Sequence, residues 1–229
     1  MLFFGRREFQ RQLHEHPERF PWTELRLTDP IGPFTAIKLA RLTDDPRRCL
    51  ALLGSAGLAE RRFVQRVATD NRCSVPDGVT IRPEDPRSIA LSPPGLMTSC
   101  PVAAALALWE REVVQPAARR QFGAAVARID HAGSFSCRRV YGRREGRFSE
   151  HATADAVDIL GFRLTNGRRI SVLRDWRGAP DEAAFLREVR DGACDLFSTV
   201  LSPEYNRAHA DHFHFDQAER GAAGWRLCR

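Results

Sequence analysis

The amino-acid sequence predicts an α+β protein in which a small antiparallel sheet is flanked by helices. Two segments, residues 100–122 and 181–196, carry apolar residues at intervals of three and four, which indicates amphipathic helices. From Val126 the apolar period changes to two, which is typical of strands. Asn166-Gly167 then separates two apolar runs, a pattern that strongly favours a β-hairpin.

The chain divides into three parts along its length. Residues 1–30 are polar and interrupted by prolines, and we interpret them as an arm or linker. Residues 31–98 are predicted to be a helical and irregular segment packed on the core. Within it, Asp45-Pro46 is a typical helix start, for a helix that runs to Leu53. One strand is expected over residues 78–82.

Residues 99–229 hold the remaining predicted elements. The longest helix begins near Cys100-Pro101 and continues towards Phe122. The other elements follow in chain order: strands near 126–129 and over 135–140, a hairpin of 156–164 with 170–173, a helix over 181–196 and a last strand over 212–215.

Composition and charge narrow the classes of function. With 43% hydrophobic residues, the 229 residues are long enough to bury a substantial core. The net charge of +6 comes mainly from arginine, and no basic run is interleaved with aromatic residues, so no nucleic-acid partner is predicted. A cationic surface suits an anionic polymer or a membrane surface, and a merely solvated arginine-rich face is the alternative.

Six widely spaced cysteines, without a Cys-x-x-Cys pair, favour disulfides over a zinc knuckle. We expect at least two disulfides, Cys137–Cys194 and Cys73–Cys100, with Cys49 or Cys228 in the remainder. The sequence shows neither a signal peptide nor a membrane-spanning run. The chain is therefore either cytosolic with free thiols or preceded by a signal or anchor outside this sequence, and we favour the second.

Two short segments carry the residues suited to metal chemistry, Ser149–Asp158 and Asp211–His214. Together they offer His151, Asp158 and His214 as a zinc-binding set and leave Asp211 and His212 for acid–base work. Three protein ligands with one open position are typical of catalytic zinc, whereas structural zinc is closed by four ligands. Any one of these histidines alone could equally be a turn or surface residue.

Local structure allows these ligands to converge. His151 precedes the strand that carries Asp158, and the small residues between them allow a tight turn. His212 and His214 share one face of a strand because side chains alternate with period two. The sequence therefore predicts a zinc site in a cleft on the sheet.

Several motifs resemble the bacterial extensin-like C-terminal domain family. They are Gly133–Arg138, Ser149–Asp158, Ser171–Trp176, Gly192–Cys194, Tyr205-Asn206 and Asp211–Asp216. The histidine and aspartate pattern is also similar to that of D-alanyl-D-alanine carboxypeptidases, murein endopeptidases and the hedgehog signalling domain. The resemblance extends from about residue 20 to the end. It implies a zinc peptidase-like catalytic domain over 99–229 and a location in the cell envelope.

The resemblance also implies roles for individual residues. His151, Asp158 and His214 would be the zinc ligands. Asp211 stands where the carboxypeptidases have a glutamate base, and His212 stands where the endopeptidases have an extra histidine. Both stay candidates for the base, and we favour Asp211. Arg138, in preference to the adjacent Arg139, would polarise the scissile carbonyl.

We therefore expect a periplasmic, Zn²⁺-dependent peptidase that hydrolyses D-alanyl bonds of peptidoglycan stem peptides with metal-activated water, as a D,D-endopeptidase or D,D-carboxypeptidase. A non-catalytic zinc-containing module that binds cell wall or protein is the alternative. A disulfide-stapled structural domain without metal is the third hypothesis.

Overall fold

The computed structural model describes residues 2–56, 58–59, 71–75, 77–83, 89–220 and 225–229. Within these ranges no helix has both the length and the apolar composition needed to cross a membrane. Helices and strands are mixed along the chain, which confirms the α+β class.

Seven α-helical segments form the helical part of the described chain. They are α1 Leu2–Glu15, α2 Thr35–Ala40, α3 Pro46–Ser55, α4 Cys100–Trp109, α5 Gln115–Phe122, α6 Val172–Asp175 and α7 Pro180–Ala193. A π-helical turn, Glu110–Val114, joins α4 to α5, so the predicted long helix is confirmed as one continuous rod. As expected, Asp45 caps α3, because its carboxylate accepts a hydrogen bond from the backbone N–H of Arg48 at 3.1 Å.

In the described ranges, ten strands form two sheets. They are β1 Leu58–Ala59, β2 Val79–Pro83, β3 Ala90–Ser92, β4 Leu96–Thr98, β5 Val126–Gly133, β6 Ala156–Leu164, β7 Arg169–Ser171, β8 Thr199–Leu201, β9 Phe213–Asp216 and β10 Leu227–Cys228. The smaller sheet has the order β1-β2-β4. The larger has the order β10-β8-β9-β6-β5-β3, with β7 also paired to β6.

The larger sheet differs from the small antiparallel sheet that the sequence predicted. It has seven strands, and its two edge strands run parallel to their neighbours, β3 beside β5 and β10 beside β8. These edge strands contain only three and two residues, too few for an alternating pattern to be recognised in the sequence.

Helices α4 and α7 pack on one face of the larger sheet. Trp109 is fully buried at the end of α4, and its indole N–H donates to the carbonyl of Val189 in α7 at 2.7 Å. Its ring packs against Phe162 of β6 and Phe215 of β9. The apolar side chains of β6 and β9 therefore face the helices, and the alternate side chains, including Asp158 and His214, face the other way.

Three predicted elements need correction. Residues 135–140 are not a strand but a loop with one isolated bridge, Arg139 to Phe148, because local turns and a disulfide hold this segment. The return strand β7 ends at Ser171, where the chain enters α6. In the segment interpreted as an arm, residues 2–15 are helical, and Leu25 and Leu27 are buried.

Three disulfides join the six cysteines, and both predicted pairs are wrong. The pairs are Cys49–Cys100, Cys73–Cys137 and Cys194–Cys228, with Cα–Cα distances of 6.1, 5.4 and 5.8 Å. Cys100 lies at the start of α4, against which α3 packs, so Cys49 reaches it in place of Cys73. The parallel strand β10 brings Cys228 to Cys194. Disulfides are typical of proteins outside the reducing cytosol.

Candidate metal centre

A tight turn places His151 beside the start of β6. Ser149 caps the 3-10 turn Glu150–Thr153, and Ala154 follows with φ 57°, in the left-handed region. The carbonyl of Ala154 accepts hydrogen bonds from Thr98 Oγ1 and Ser134 Oγ, which fix the turn to the neighbouring chain. The small side chains of this turn are buried, so the chain reverses within seven residues, as expected from the sequence.

Strand pairing places the second and third residues of the set. Asp158 of β6 lies directly opposite His214 of β9 in the antiparallel register. Their neighbours Val157 and Phe215 point into the hydrophobic core. Asp158 and His214 therefore meet on the sheet face opposite the helices, where His151 arrives from the turn.

Three ligand atoms converge at this point. His151 Nε2 lies 3.2 Å from Asp158 Oδ1 and 3.2 Å from His214 Nδ1, and His214 Nδ1 lies 3.0 Å from Asp158 Oδ1. In a tetrahedral zinc site with bonds of about 2.0–2.1 Å, ligand atoms are separated by about 3.3–3.4 Å. These are the only three residues among the described ones that form a group able to hold a metal ion.

Hydrogen bonds on the outer side fix the histidine tautomers. His151 Nδ1 donates to the carbonyl of Ser134 at 2.6 Å, and His214 Nε2 donates to Asp216 Oδ2 at 3.1 Å. Metal-binding histidines commonly make such contacts with a carbonyl or carboxylate. Each outer nitrogen carries its proton, so the inner nitrogens direct lone pairs at the carboxylate oxygen. Three lone pairs this close together need a cation or a proton between them, so the donor set fits a zinc ion.

The pKa shifts of His214 and Asp158 agree with this geometry. Burial alone would lower the pKa of His214, but hydrogen bonds with Asp158 and Asp216 outweigh it and raise that pKa to about 9. Burial alone would raise the pKa of Asp158, but hydrogen bonds with His151 and His214 hold it well below its usual range. The centre therefore stabilises positive charge next to an ionised carboxylate.

Asp211 and His212 form a dyad at the edge of the centre. His212 Nδ1 donates to Asp211 Oδ1 at 2.7 Å, and His212 Nε2 lies 3.6 Å from Asp158 Oδ1. The side chain of Asp211 is 58% exposed, whereas that of His212 is 17% exposed. His212 therefore faces the ligand atoms, and Asp211 contacts it from the solvent side.

The Arg138 side chain forms no hydrogen bond or salt bridge with the candidate ligands His151, Asp158 and His214. It is exposed, and its guanidinium makes no hydrogen bond or salt bridge with another described residue. The backbone carbonyl of Arg138 accepts a hydrogen bond from the N–H of Ser149 at 3.0 Å. Its backbone therefore contacts the segment that directly precedes His151. The carbonyl-polarising role of Arg138 stays a prediction.

Residues that the sequence analysis did not assign complete the surroundings of the centre. Asp216 supports His214, and period-two alternation from His212 through His214 could have indicated it. His209 packs beside His212 and His214, with ring centroids at 5.2 and 5.9 Å. Burial and the neighbouring histidines His212 and His214 lower the pKa of His209 to about 4, so that its ring is neutral.

A second group of carboxylates lies behind the ligand set. Asp155, three residues before Asp158, accepts a hydrogen bond from Ser99 Oγ at 2.6 Å. Burial, together with the nearby carboxylates of Asp77, Glu150 and Asp216, raises the pKa of Asp155 to about 8, although the hydrogen bond from Ser99 opposes the rise. Asp155 therefore supports the turn rather than the ligand set.

Comparisons with known proteins identify the family. A search of curated proteins and a search of solved structures gave no match. The family model for the extensin-like protein C-terminus matches residues 47–229, which include every residue of the centre and all six cysteines. The chain therefore belongs to the extensin-like protein C-terminal family.

Proposed function

We propose that this protein is a zinc-dependent peptidase of the bacterial cell envelope. The observation that carries the proposal is the convergence of His151 Nε2, Asp158 Oδ1 and His214 Nδ1 within 3.2 Å of one another. Both histidines are held from outside, so the three lone pairs are prepared for a cation. Three protein ligands leave one coordination position for water or substrate, as in catalytic zinc sites.

His151, Asp158 and His214 would hold the metal. A zinc ion bound there would supply Lewis acidity, which polarises a peptide carbonyl and promotes ionisation of water. The ionised Asp158 contributes one negative charge, and the two histidines are neutral ligands when bound. The carboxylate of Asp216 keeps His214 in the required tautomer.

The dyad supplies acid–base chemistry. His212 would accept the proton of the attacking water at Nε2 and return it to the leaving amine. Asp211 would accept the hydrogen bond from Nδ1–H, which keeps Nε2 unprotonated and directed at the centre. The distances favour His212 over Asp211 as the base, because Asp211 contacts solvent and the far side of the imidazole ring.

The substrate class rests on the motif resemblance. Ser149–Asp158 and Asp211–His214 are similar to the motifs of D,D-peptidases, so we propose D-alanyl bonds of peptidoglycan stem peptides as the substrate. The three disulfides are in accord with an extracytoplasmic location, and within it we propose the periplasm.

Soluble cross-linked muropeptides provide the test. The zinc-reconstituted protein is incubated with them, with and without chelator, and products are separated by liquid chromatography and mass spectrometry. We expect cleavage that the chelator abolishes and that His214→Ala lacks. Separation of cross-linked dimers would identify a D,D-endopeptidase, and release of D-alanine a D,D-carboxypeptidase. Zinc binding at the three residues without any cleavage would refute the peptidase proposal in favour of a binding module.

A further inference from the structure

One loop beside the metal centre carries most of the net charge of the protein. Residues 138–147, the arginine loop, contain five arginines and one glutamate, a net charge of +4 out of +6 for the whole chain. The arginines are Arg138, Arg139, Arg143, Arg144 and Arg147. Like charges at such a density repel one another, and a bound anion would reduce this repulsion. The loop is therefore expected to attract anions.

The backbone of the arginine loop is built like a hairpin. Val140 N–H donates to the carbonyl of Arg147 at 3.0 Å, and an antiparallel bridge joins Arg139 to Phe148. The guanidinium of Arg139 lies 4.5 Å from the ring centroid of Phe148. The disulfide of Cys137 holds the loop where it begins. Its arginines are therefore presented from a fixed framework.

None of the five guanidiniums forms a salt bridge with a described carboxylate, and four of the arginines are exposed: Arg138, Arg143, Arg144 and Arg147. Burial raises the pKa of the Glu150 carboxyl, and the nearby charge of Arg147 opposes that rise. Arg143 lies over the ring of Tyr141, with 5.8 Å between its guanidinium carbon and the ring centroid. The positive charge of the loop is thus open to a ligand.

The tip of the loop is attached to the metal centre through a short hydrogen-bonded chain. Tyr141 Oη accepts a hydrogen bond from Asn206 Nδ2 at 3.0 Å, and Asn206 Oδ1 accepts one from His209 Nδ1 at 2.8 Å. His209 packs against His212 and His214. The arginine loop is therefore connected to the edge of the metal centre, and a ligand bound to the loop would lie beside the centre.

The backbone of Tyr141 supports a functional role for this attachment. Its φ of 57° and ψ of 24° lie in the left-handed region, which is sterically unfavourable for a bulky residue and persists only where the surrounding structure holds it. Half of Tyr141 is exposed, and 40% of Tyr205, whose ring packs on His209, is exposed as well. Two flat aromatic faces thus stand beside the arginines at the entrance to the centre.

We propose that the arginine loop, together with Tyr141 and Tyr205, binds the free carboxylates of a peptide substrate and directs the chain across the metal centre. Guanidinium groups pair with carboxylates through two parallel hydrogen bonds, and tyrosine rings provide contact surface at low entropic cost. This inference rests on the proposed function, because it takes the peptide from that proposal. It adds that recognition depends on acidic groups of the peptide.

The test compares two doubly substituted proteins with the same change in charge. Arg143→Glu with Arg144→Glu reverses two charges in the loop. Arg169→Glu with Arg177→Glu is the matched control, because both arginines are exposed. Arg169 lies opposite Arg163 in the register of β7 with β6, at the end of β6 that is remote from Asp158. Fluorescence anisotropy measures binding of a labelled soluble muropeptide by the full chain, both as purified and after chelation.

The loop variant should bind the muropeptide about tenfold more weakly than the wild type, and the control should bind within about twofold. Converting the carboxylates of the muropeptide to amides should weaken its binding to the wild type by a similar factor. Binding is also measured after chelation, when no metal-dependent cleavage can occur. The expected binding differences would therefore be observed even if the protein proved not to be a peptidase. Equal binding by the loop variant, equal loss in the control, or tighter binding of inorganic polyphosphate than of the muropeptide would overturn the inference.

Discussion

Asp158 and His214 face each other across two antiparallel strands, with Asp158 Oδ1 3.0 Å from His214 Nδ1. Each side chain occupies an alternate position of its strand, so the core-facing neighbours fix the register that brings the pair together. A slip of either strand by one residue would turn its member of the pair to the other face and separate the two side chains. The candidate metal centre therefore depends on the packing of β6 and β9.

The first prediction concerns the ligands. His214→Ala removes a ligand atom, and Asp158→Asn replaces the anionic ligand with a neutral amide, so we expect stoichiometric zinc binding to be lost in both. Asp216→Asn removes only the outer partner of His214, and we expect affinity to fall about 10–100-fold. Isothermal titration with zinc measures all three variants. His16→Ala, in the N-terminal segment, is the control and should bind zinc as the wild type does.

The second prediction separates the two members of the dyad. His212→Ala should retain zinc and lower kcat by about 10²–10⁴-fold, the usual contribution of a general base. Asp211→Asn should lower kcat less, because the amide oxygen can still orient the imidazole from its exposed position. Muropeptide cleavage gives kcat, and metal analysis verifies zinc content. Full activity of His212→Ala alongside an inactive Asp211→Asn would transfer the base role to Asp211.

The third prediction concerns Asp155 and pH. Its folded-state pKa of about 8 lies above the unfolded value near 4, so the neutral carboxyl stabilises the fold fully below about pH 4. This stabilisation is lost as pH rises through about 8. Asp155→Asn is neutral throughout and can still accept the hydrogen bond from Ser99. Relative to the wild type, the variant should therefore gain stability between about pH 4 and pH 8.

Chemical unfolding at a series of pH values measures this difference. Each unit of the pKa shift corresponds to about 1.4 kcal/mol, so even part of the shift is detectable. Asp195→Asn, an exposed aspartate at the end of α7, controls for the loss of one negative charge. A variant that becomes relatively less stable with rising pH would contradict the prediction.

The fourth prediction distinguishes two disulfides. Cys137 lies in the segment whose Ser134 carbonyl and Ser136 N–H bind His151, so loss of Cys73–Cys137 should weaken zinc binding as well as stability. Cys194–Cys228 holds the terminal strand β10, and its loss should affect stability alone, by about 2–4 kcal/mol. The paired Cys→Ser variants are compared by zinc titration and thermal unfolding. Equal zinc affinity in both would contradict the assignment.

The sequence predicted the elements whose signals are local. The long helix from Cys100 has a regular apolar period, and Asn166-Gly167 marks the hairpin. The convergence of His151, Asp158 and His214 was predictable for the same reason, because His151 and Asp158 are close in sequence and His214 has a recognisable strand context. That they share one point in space depends on the pairing of β6 with β9.

The features that sequence did not predict depend on contacts between distant segments. Cysteine pairing can be predicted only when it is known which elements pack together. Cys100 is bonded to Cys49 of α3 rather than to Cys73. Residues 135–140 alternate like a strand, yet their neighbours are turns. The dyad geometry was also inaccessible, because the order of Asp211 and His212 along the chain does not tell which of them faces the ligand atoms.

The connectivity of the disulfides sets a requirement on how the protein is made. Cys49–Cys100 and Cys73–Cys137 cross in the sequence, because Cys73 lies inside the first pair and Cys100 inside the second. During export from the N-terminus, Cys73 is the first thiol that Cys49 can meet, so oxidation in order of appearance gives a non-native pair. Native pairing then requires thiol–disulfide exchange. Production of the correctly bridged protein should therefore depend on a disulfide isomerase as well as on an oxidase.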